Sequence, residues 1–130
     1  MANILVIEDN DQNLYLVTFL LQNQGHTVIA AHDGGEGIRL ALESRPDVIL
    51  LDIQLPVMDG HAVARALREH PSMASTPIIA VTSYAMAGDR ERVLAAGCNG
   101  YIEKPIDPDT FVASVFAHMR DRPTATPDGL

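Results

Sequence analysis

Short apolar runs, each stopped by a polar group, set the frame of this chain. Ile4-Leu5-Val6-Ile7 ends in Glu8-Asp9-Asn10-Asp11, and Val48-Ile49-Leu50-Leu51 ends in Asp52. Ile78-Ile79-Ala80-Val81 ends in Thr82-Ser83, and Gly100-Tyr101-Ile102-Glu103 runs into Lys104-Pro105. Runs this short and apolar predict strands buried on both faces, as in a parallel sheet. A further strand is expected from Thr27 to Ala31.

Between the runs the hydrophobic period changes. Leu14, Val17 and Leu21 recur at i, i+3 and i+7 and predict an amphipathic helix that stops near Gly25. Asp33-Gly34-Gly35 reads as a turn, followed by a helix through Ile38, Leu42 and their alanine neighbours that is halted before Pro46. A third helix should run from Asp59-Gly60 through Val63 and Leu67 to about Glu69, with a loop from Pro71 to Pro77. The fourth, from about Gly88 to Ala96, has only Val93 and Leu94 as large apolar residues, and Gly97 suits its C′ position. So weak an anchor makes this helix a candidate for movement. Asp107-Pro108 is a good N-cap and N1 pair for a last helix carrying Val112, Val115, Phe116 and Met119.

Strands alternating with helices predict an α/β fold with helices on both faces of a five-stranded parallel sheet. The chain of 130 residues suffices for one domain, expected over 1–122, with the proline-containing stretch 123–130 as a disordered tail.

Composition narrows the classes. Hydrophobic residues make up 47 % and charged residues 20 %, as in an ordinary globular protein. No apolar run approaches the roughly 20 residues of a membrane span, and no signal peptide precedes the first strand. Cys98 is the single cysteine, which excludes an internal disulfide and fits a reducing cytoplasm. A net charge of −8 argues against direct nucleic-acid binding and favours a protein partner or a cation.

Ligands of open α/β sheets sit outside the carboxyl ends of the strands. Those ends carry Glu8, Asp9, Asp52, Thr82, Ser83 and Lys104. Each has an ordinary reading alone: a helix cap, a turn residue, a solvated lysine. Their joint placement favours a site. Clustered carboxylates repel unless a cation neutralises them, and an all-oxygen set with room for water suits Mg²⁺. A carboxylate can also act as nucleophile toward a phosphoryl group. Asp52 is then the acceptor, with Mg²⁺, Lys104 and the Thr82 hydroxyl meeting the added charge.

These residues resemble the receiver domain of two-component response regulators, in its single-domain form, over about residues 3–120. The resemblance rests on Glu8-Asp9, the segment from Leu51-Asp52 to Asp59-Gly60, Thr82-Ser83, and Tyr101-Ile102-Glu103-Lys104-Pro105. It implies a flavodoxin-like doubly wound sheet of order 2-1-3-4-5. It implies that Asp52 takes a phosphoryl group from a histidine of a sensor kinase or a phosphotransfer protein, without turnover of other substrates. Asp9, Asp52 and the backbone carbonyl of Gln54 would hold Mg²⁺, with Glu8 acting through water. Lys104 would pair with the phosphoryl group, and the Lys104–Pro105 peptide would be cis. Thr82, Ser83 and Tyr101 would form the switch, with output through the face of the fourth helix, fifth strand and last helix. The protein would be a monomer or a phosphorylation-dependent dimer. Tyr84 is expected to shield the acyl phosphate from water.

Three rival classes share parts of this pattern. A haloacid-dehalogenase-type phosphatase needs a second Asp two residues after the nucleophile, where this chain has Gln54. A flavodoxin-like cofactor binder needs a Ser/Thr/Gly-rich phosphate loop, where this chain has Glu8-Asp9-Asn10-Asp11. A receiver fragment of a hybrid histidine kinase would share every motif.

Overall fold

The structure, a computed structural model, describes residues 2–83 and 88–120. Its strands are β1 (Asn3–Ile7), β2 (Thr27–Ala31), β3 (Val48–Asp52), β4 (Ile78–Thr82) and β5 (Gly100–Glu103). They form one sheet in the order β2-β1-β3-β4-β5, every pairing parallel, as expected. The helices are α1 (Asp11–Asn23), α2 (Gly34–Ser44), α3 (Gly60–Arg68), α4 (Asp89–Ala95) and α5 (Phe111–Arg120). Among the described residues, no helix is long and apolar enough to cross a membrane.

Alternation along the strands divides the interior in two. Leu5, Ile7, Ile49, Leu51, Ile78 and Ala80 face one core, shared with α2, α3 and α4. Ile4, Val6, Val48, Leu50, Ile79 and Val81 face the other, closed by Leu14, Val17 and Leu21 of α1 and by Phe111 and Val115 of α5. Both faces of the central strands are therefore apolar, which is why their sequences read as unbroken hydrophobic runs.

The expected turn at Asp33-Gly34-Gly35 is instead the start of α2. Asp33 is its N-cap, and its carboxylate accepts the Glu36 N–H at 2.8 Å. Gly34 and Gly37 are there for closeness. A Cβ on Gly34 would lie 2.7 Å from Val63 Cγ2, and one on Gly37 would lie 2.5 Å from Ile7 Cδ1. The buried stripe of α2 is Gly34, Gly37 and Ala41, with Ile38 and Leu42 only half-buried at its flanks.

At α5, Asp107 accepts the Phe111 N–H with its carbonyl and the Asp109 N–H with its side chain, the cap expected there. The regular helix begins only at Phe111, after a turn over 108–110. In α4, Val93 is buried, but Leu94 is 40 % exposed, so one large side chain rather than two anchors the helix.

Candidate functional site

The sheet register brings the expected residues to one edge. Ile7 lies opposite Leu51, Asp52 opposite Val81, and Thr82 opposite Glu103. The residues that follow these positions leave the sheet together. The Glu8 N–H donates to the Ala31 carbonyl, and the Lys104 N–H to the Thr82 carbonyl, so both neighbours of the sheet remain tied to it. The Lys104–Pro105 peptide is cis.

The loop after Asp52 is held from below. Gly60, at the start of α3, donates its N–H to the Ile53 carbonyl at 3.0 Å. A Cβ at Gly60 would lie 2.7 Å from the Asp52 carbonyl oxygen and 2.5 Å from Ile53 Cα. That role was missed in the sequence. The available signal was a glycine following the helix cap Asp59, where alanine is the better helix former.

Glu8, Asp9 and Asp52 each present a carboxylate oxygen within 4.8 Å of the others, and Asp9 is the exposed member. Lys104 bridges the other two, with Nζ 3.3 Å from Glu8 Oε1 and 3.3 Å from Asp52 Oδ1. Asp52 Oδ1 also accepts the Gln54 N–H at 3.0 Å. Glu8 Oε2 accepts the Asn10 N–H at 3.2 Å. Burial, then a hydrogen bond and like charge from Asp52, push the Glu8 carboxyl up to about 7, while Asn10 and Lys104 pull the other way. Burial disfavours the charged form of this carboxyl, and the neighbouring Asp52 adds to the effect. The donors are all oxygen, close together and open on the Asp9 side, a set that fits a hard divalent cation.

Thr82 is buried at the end of β4, and Ser83 beyond it is exposed. Gln54 reaches across to this second loop. Its Oε1 accepts the Ser83 N–H at 3.2 Å and the Ser83 hydroxyl at 2.6 Å. Below Thr82, a cleft of about 430 Å³ separates α3 from α4, lined by Leu55, His61, Arg92 and Val93 among others. Tyr101, in the middle of β5, is half-buried and packs against the core shared with α4. Tyr84, expected to shield the acceptor, lies outside the described residues.

Comparison with known proteins points one way. The family model for the response regulator receiver domain matches residues 4–116. The chain is 39 % identical over 119 residues to the polar-differentiation response regulator DivK of Brucella anthropi, covering 92 % of this chain and 97 % of that protein. The chemotaxis response regulator CheY4 of Vibrio cholerae superposes with a TM-score of 0.87 at 30 % identity, covering 91 % of this chain and 98 % of that one. The receiver domain of a sensor histidine kinase from Pseudomonas aeruginosa, solved with a magnesium ion coordinated in its active site cleft, superposes with a TM-score of 0.84 at 35 % identity, covering 92 % and 98 %. With a matching family model across nearly its whole fold and an acid cluster at the strand ends, this chain belongs to the response regulator receiver domains of two-component signalling.

Proposed function

We propose that Asp52 is the phosphoacceptor of this receiver domain and that its phosphorylation switches protein–protein binding. The observation that carries the reading is the bridge from Lys104 to both Glu8 and Asp52, in a cluster that Asp9 completes. Asp9, Asp52 and the Gln54 backbone carbonyl would hold Mg²⁺, with Glu8 acting through water. A bound Mg²⁺ supplies positive charge against which phosphoryl oxygens can be placed.

The residues of the chain divide the remaining work. An oxygen of the Asp52 carboxylate attacks the phosphorus of a phosphohistidine. The new O–P bond forms as the P–N bond breaks, and the electron pair stays on the imidazole nitrogen. Burial keeps bulk water from competing for the carboxylate, and the Gln54 N–H orients it. Lys104, already placed against Asp52, balances the charge of the transferred group.

Phosphorylation adds a charge of roughly −1.5 to −2. Thr82 moves toward it, Ser83 follows, and Tyr101 turns inward into the space released. The cleft between α3 and α4 and the single large anchor of α4 support a helix that can shift in response. The output surface is then α4, β5 and α5, met by a protein partner or by a second copy of the chain as a phosphorylation-dependent dimer. The donor is a sensor histidine kinase or a histidine phosphotransfer protein. The receiver domain spans 1–122, works in the cytoplasm, and promotes only its own phosphorylation and dephosphorylation.

The phosphatase alternative finds no support at position 54, where a general acid would stand, because the Gln54 amide has no acidic proton to give. The test of the main reading is transfer of radiolabel from a phosphorylated histidine kinase in Mg²⁺. The parent chain is expected to take up label that survives only without alkali, and Asp52→Asn to take up none. Equal labelling of the two would overturn it.

A further inference from the structure

The far end of the sheet carries a group of donors that the phosphoacceptor role of Asp52 does not use. The strands run parallel, and Asp52 and Thr82 close theirs, whereas Ile78 opens β4 and Asn99 stands just before β5. Beside Ile78 and Asn99 lies a cavity of about 240 Å³, lined by Arg68, Ser75, Leu94, Gly97, Cys98 and Asn99 among others. That is well above the roughly 10–15 Å³ that one water needs and below the roughly 300 Å³ at which sites for drug-sized ligands begin. The space suits a small group.

The hydrogen bonds leave donors, not acceptors, unused in this wall. An arginine has five N–H donors. Arg68 gives three of them to the Gly97 carbonyl, the Met73 carbonyl and Asn99 Oδ1, which leaves two without an acceptor among the described residues. Asn99 Oδ1 accepts from Arg68 and from the Ile78 N–H, at 2.8 Å each, so the acceptor of that amide is taken. The Asn99 side-chain nitrogen and the exposed Ser75 hydroxyl have no protein acceptor among the described residues.

Charge points the same way. The three acceptors of the half-buried Arg68 are neutral, and Arg68 enters no ion pair among the described residues. The carboxyl ends of α3 and α4 bear partial negative charge, which offsets only part of a full positive one. Burial pushes the neighbouring Cys98 thiol up to about 12, so it stays neutral and supplies no counter-charge. No Asp or Glu is among the cavity's described lining residues, in a chain that carries 17 of them. A desolvated charge ordinarily keeps a partner.

We propose that this cavity binds a small oxyanion, phosphoryl or carboxylate, held by the two spare N–H groups of Arg68, the Asn99 amide and the Ser75 hydroxyl. A guanidinium suits either anion, because it offers charge and directed N–H groups together. The bound anion balances the charge of Arg68 and ties Ser75, ahead of β4, to the network that joins α3, α4 and β5. The site is separate from Asp52 and stands or falls independently of the phosphoacceptor reading.

The test titrates the full chain, in Mg²⁺-free buffer, with sodium phosphate, sulfate or acetate against sodium chloride at matched ionic strength. Backbone amide NMR shifts and the urea midpoint are read. Saturable shifts are expected at Ser75, Gly97 and Asn99, and at ten times the dissociation constant the folding equilibrium constant should rise about tenfold. Tighter binding of phosphate and sulfate assigns the site to phosphoryl-type groups, and tighter binding of acetate assigns it to carboxylates; either supports the site. Asn99→Asp keeps an acceptor for Arg68 and Ile78 while building a carboxylate into the wall. It is expected to raise the urea midpoint and to lose the saturable response. Ser75→Ala, at an exposed position that any fold should tolerate, is expected to weaken binding roughly threefold with the anion-free midpoint unchanged. A response that grows linearly with salt and is equal in parent and Asn99→Asp is general exclusion of these anions from the surface, and it overturns the site. Saturable shifts centred on Lys104 with none at Ser75 overturn it too, as does Ser75→Ala binding phosphate as tightly as the parent.

Discussion

Lys104 Nζ stands 3.3 Å from Asp52 Oδ1, with the aspartate side chain 3 % exposed and the lysine 14 %. The same ammonium reaches Glu8. Removing it leaves two buried carboxylates facing each other. Lys104→Met is expected to lose about 3 kcal/mol of stability in metal-free buffer, the lower end for breaking a buried pair. Mg²⁺ should then return more stability to the variant than to the parent. Urea unfolding with and without Mg²⁺ checks both, and equal Mg²⁺ effects would count against a shared site.

Gly60 supports Asp52 from beneath, because any side chain there meets the Asp52 carbonyl and Ile53 backbone. Gly60→Ala is expected to cost about 2 kcal/mol through overpacking. Since the backbone must yield at Asp52 itself, Mg²⁺ affinity should fall as well. A variant that loses stability with its metal affinity intact would place the strain elsewhere.

Val57 is fully exposed in a left-handed conformation, φ 68°, inside a tight turn closed by the Met58 N–H on the Pro56 carbonyl at 2.7 Å. A β-branched residue is poorly suited to positive φ in such a three-residue turn, and glycine tolerates it. Val57→Gly should therefore raise stability by about 1 kcal/mol. A lower urea midpoint for the variant would refute the assignment of strain.

Arg68 joins parts of the chain at the end of the sheet away from Asp52. Its guanidinium donates to the Gly97 carbonyl at 2.9 Å, the Met73 carbonyl at 2.5 Å and Asn99 Oδ1 at 2.8 Å. Asn99 Oδ1 also accepts the Ile78 N–H at 2.8 Å. Arg68→Met is expected to cost about 3 kcal/mol. Arg68→Lys should recover less than half, because an ammonium cannot reproduce the planar fork. Full recovery by lysine would reduce the role of Arg68 to charge.

Burial pushes the Cys98 thiol up to about 12. The unfolded chain releases that proton first as pH rises, so the native state binds more protons between about pH 8.5 and the folded value. Stability contributed by Cys98 is thus present below that window and lost as pH rises through it. The stability difference between the parent and Cys98→Ala should shrink between about pH 8 and about pH 10.5. The native thiol should also resist alkylation at neutral pH. A constant difference across that range would mean that the thiol is solvated.

The strands and the edge they share were legible because burial on both faces writes itself as an uninterrupted apolar run. Glu8, Asp52, Thr82 and Lys104 stood out as the polar groups that end those runs. The packing of α2 did not, since hydrophobic periodicity cannot register a stripe made of Gly34, Gly37 and Ala41. Phe111, 1 % exposed, sits just ahead of the apolar repeat that marks α5, so the repeat alone passed over it. The Gln54–Ser83 contact joins two loops 29 residues apart through side chains that are each ordinary loop residues. Only the sheet topology brings them together.

The two cores described above also bear on how such a domain can change. The sheet is a partition, with α1 and α5 packed on one side and α2, α3 and α4 on the other. Substitutions on opposite sides share few neighbours and should combine additively. A lineage can therefore repack the side closed by α1 and α5 while the interior behind α4 stays as it was. The two halves of the interior are free to diverge at different rates, within a single small fold.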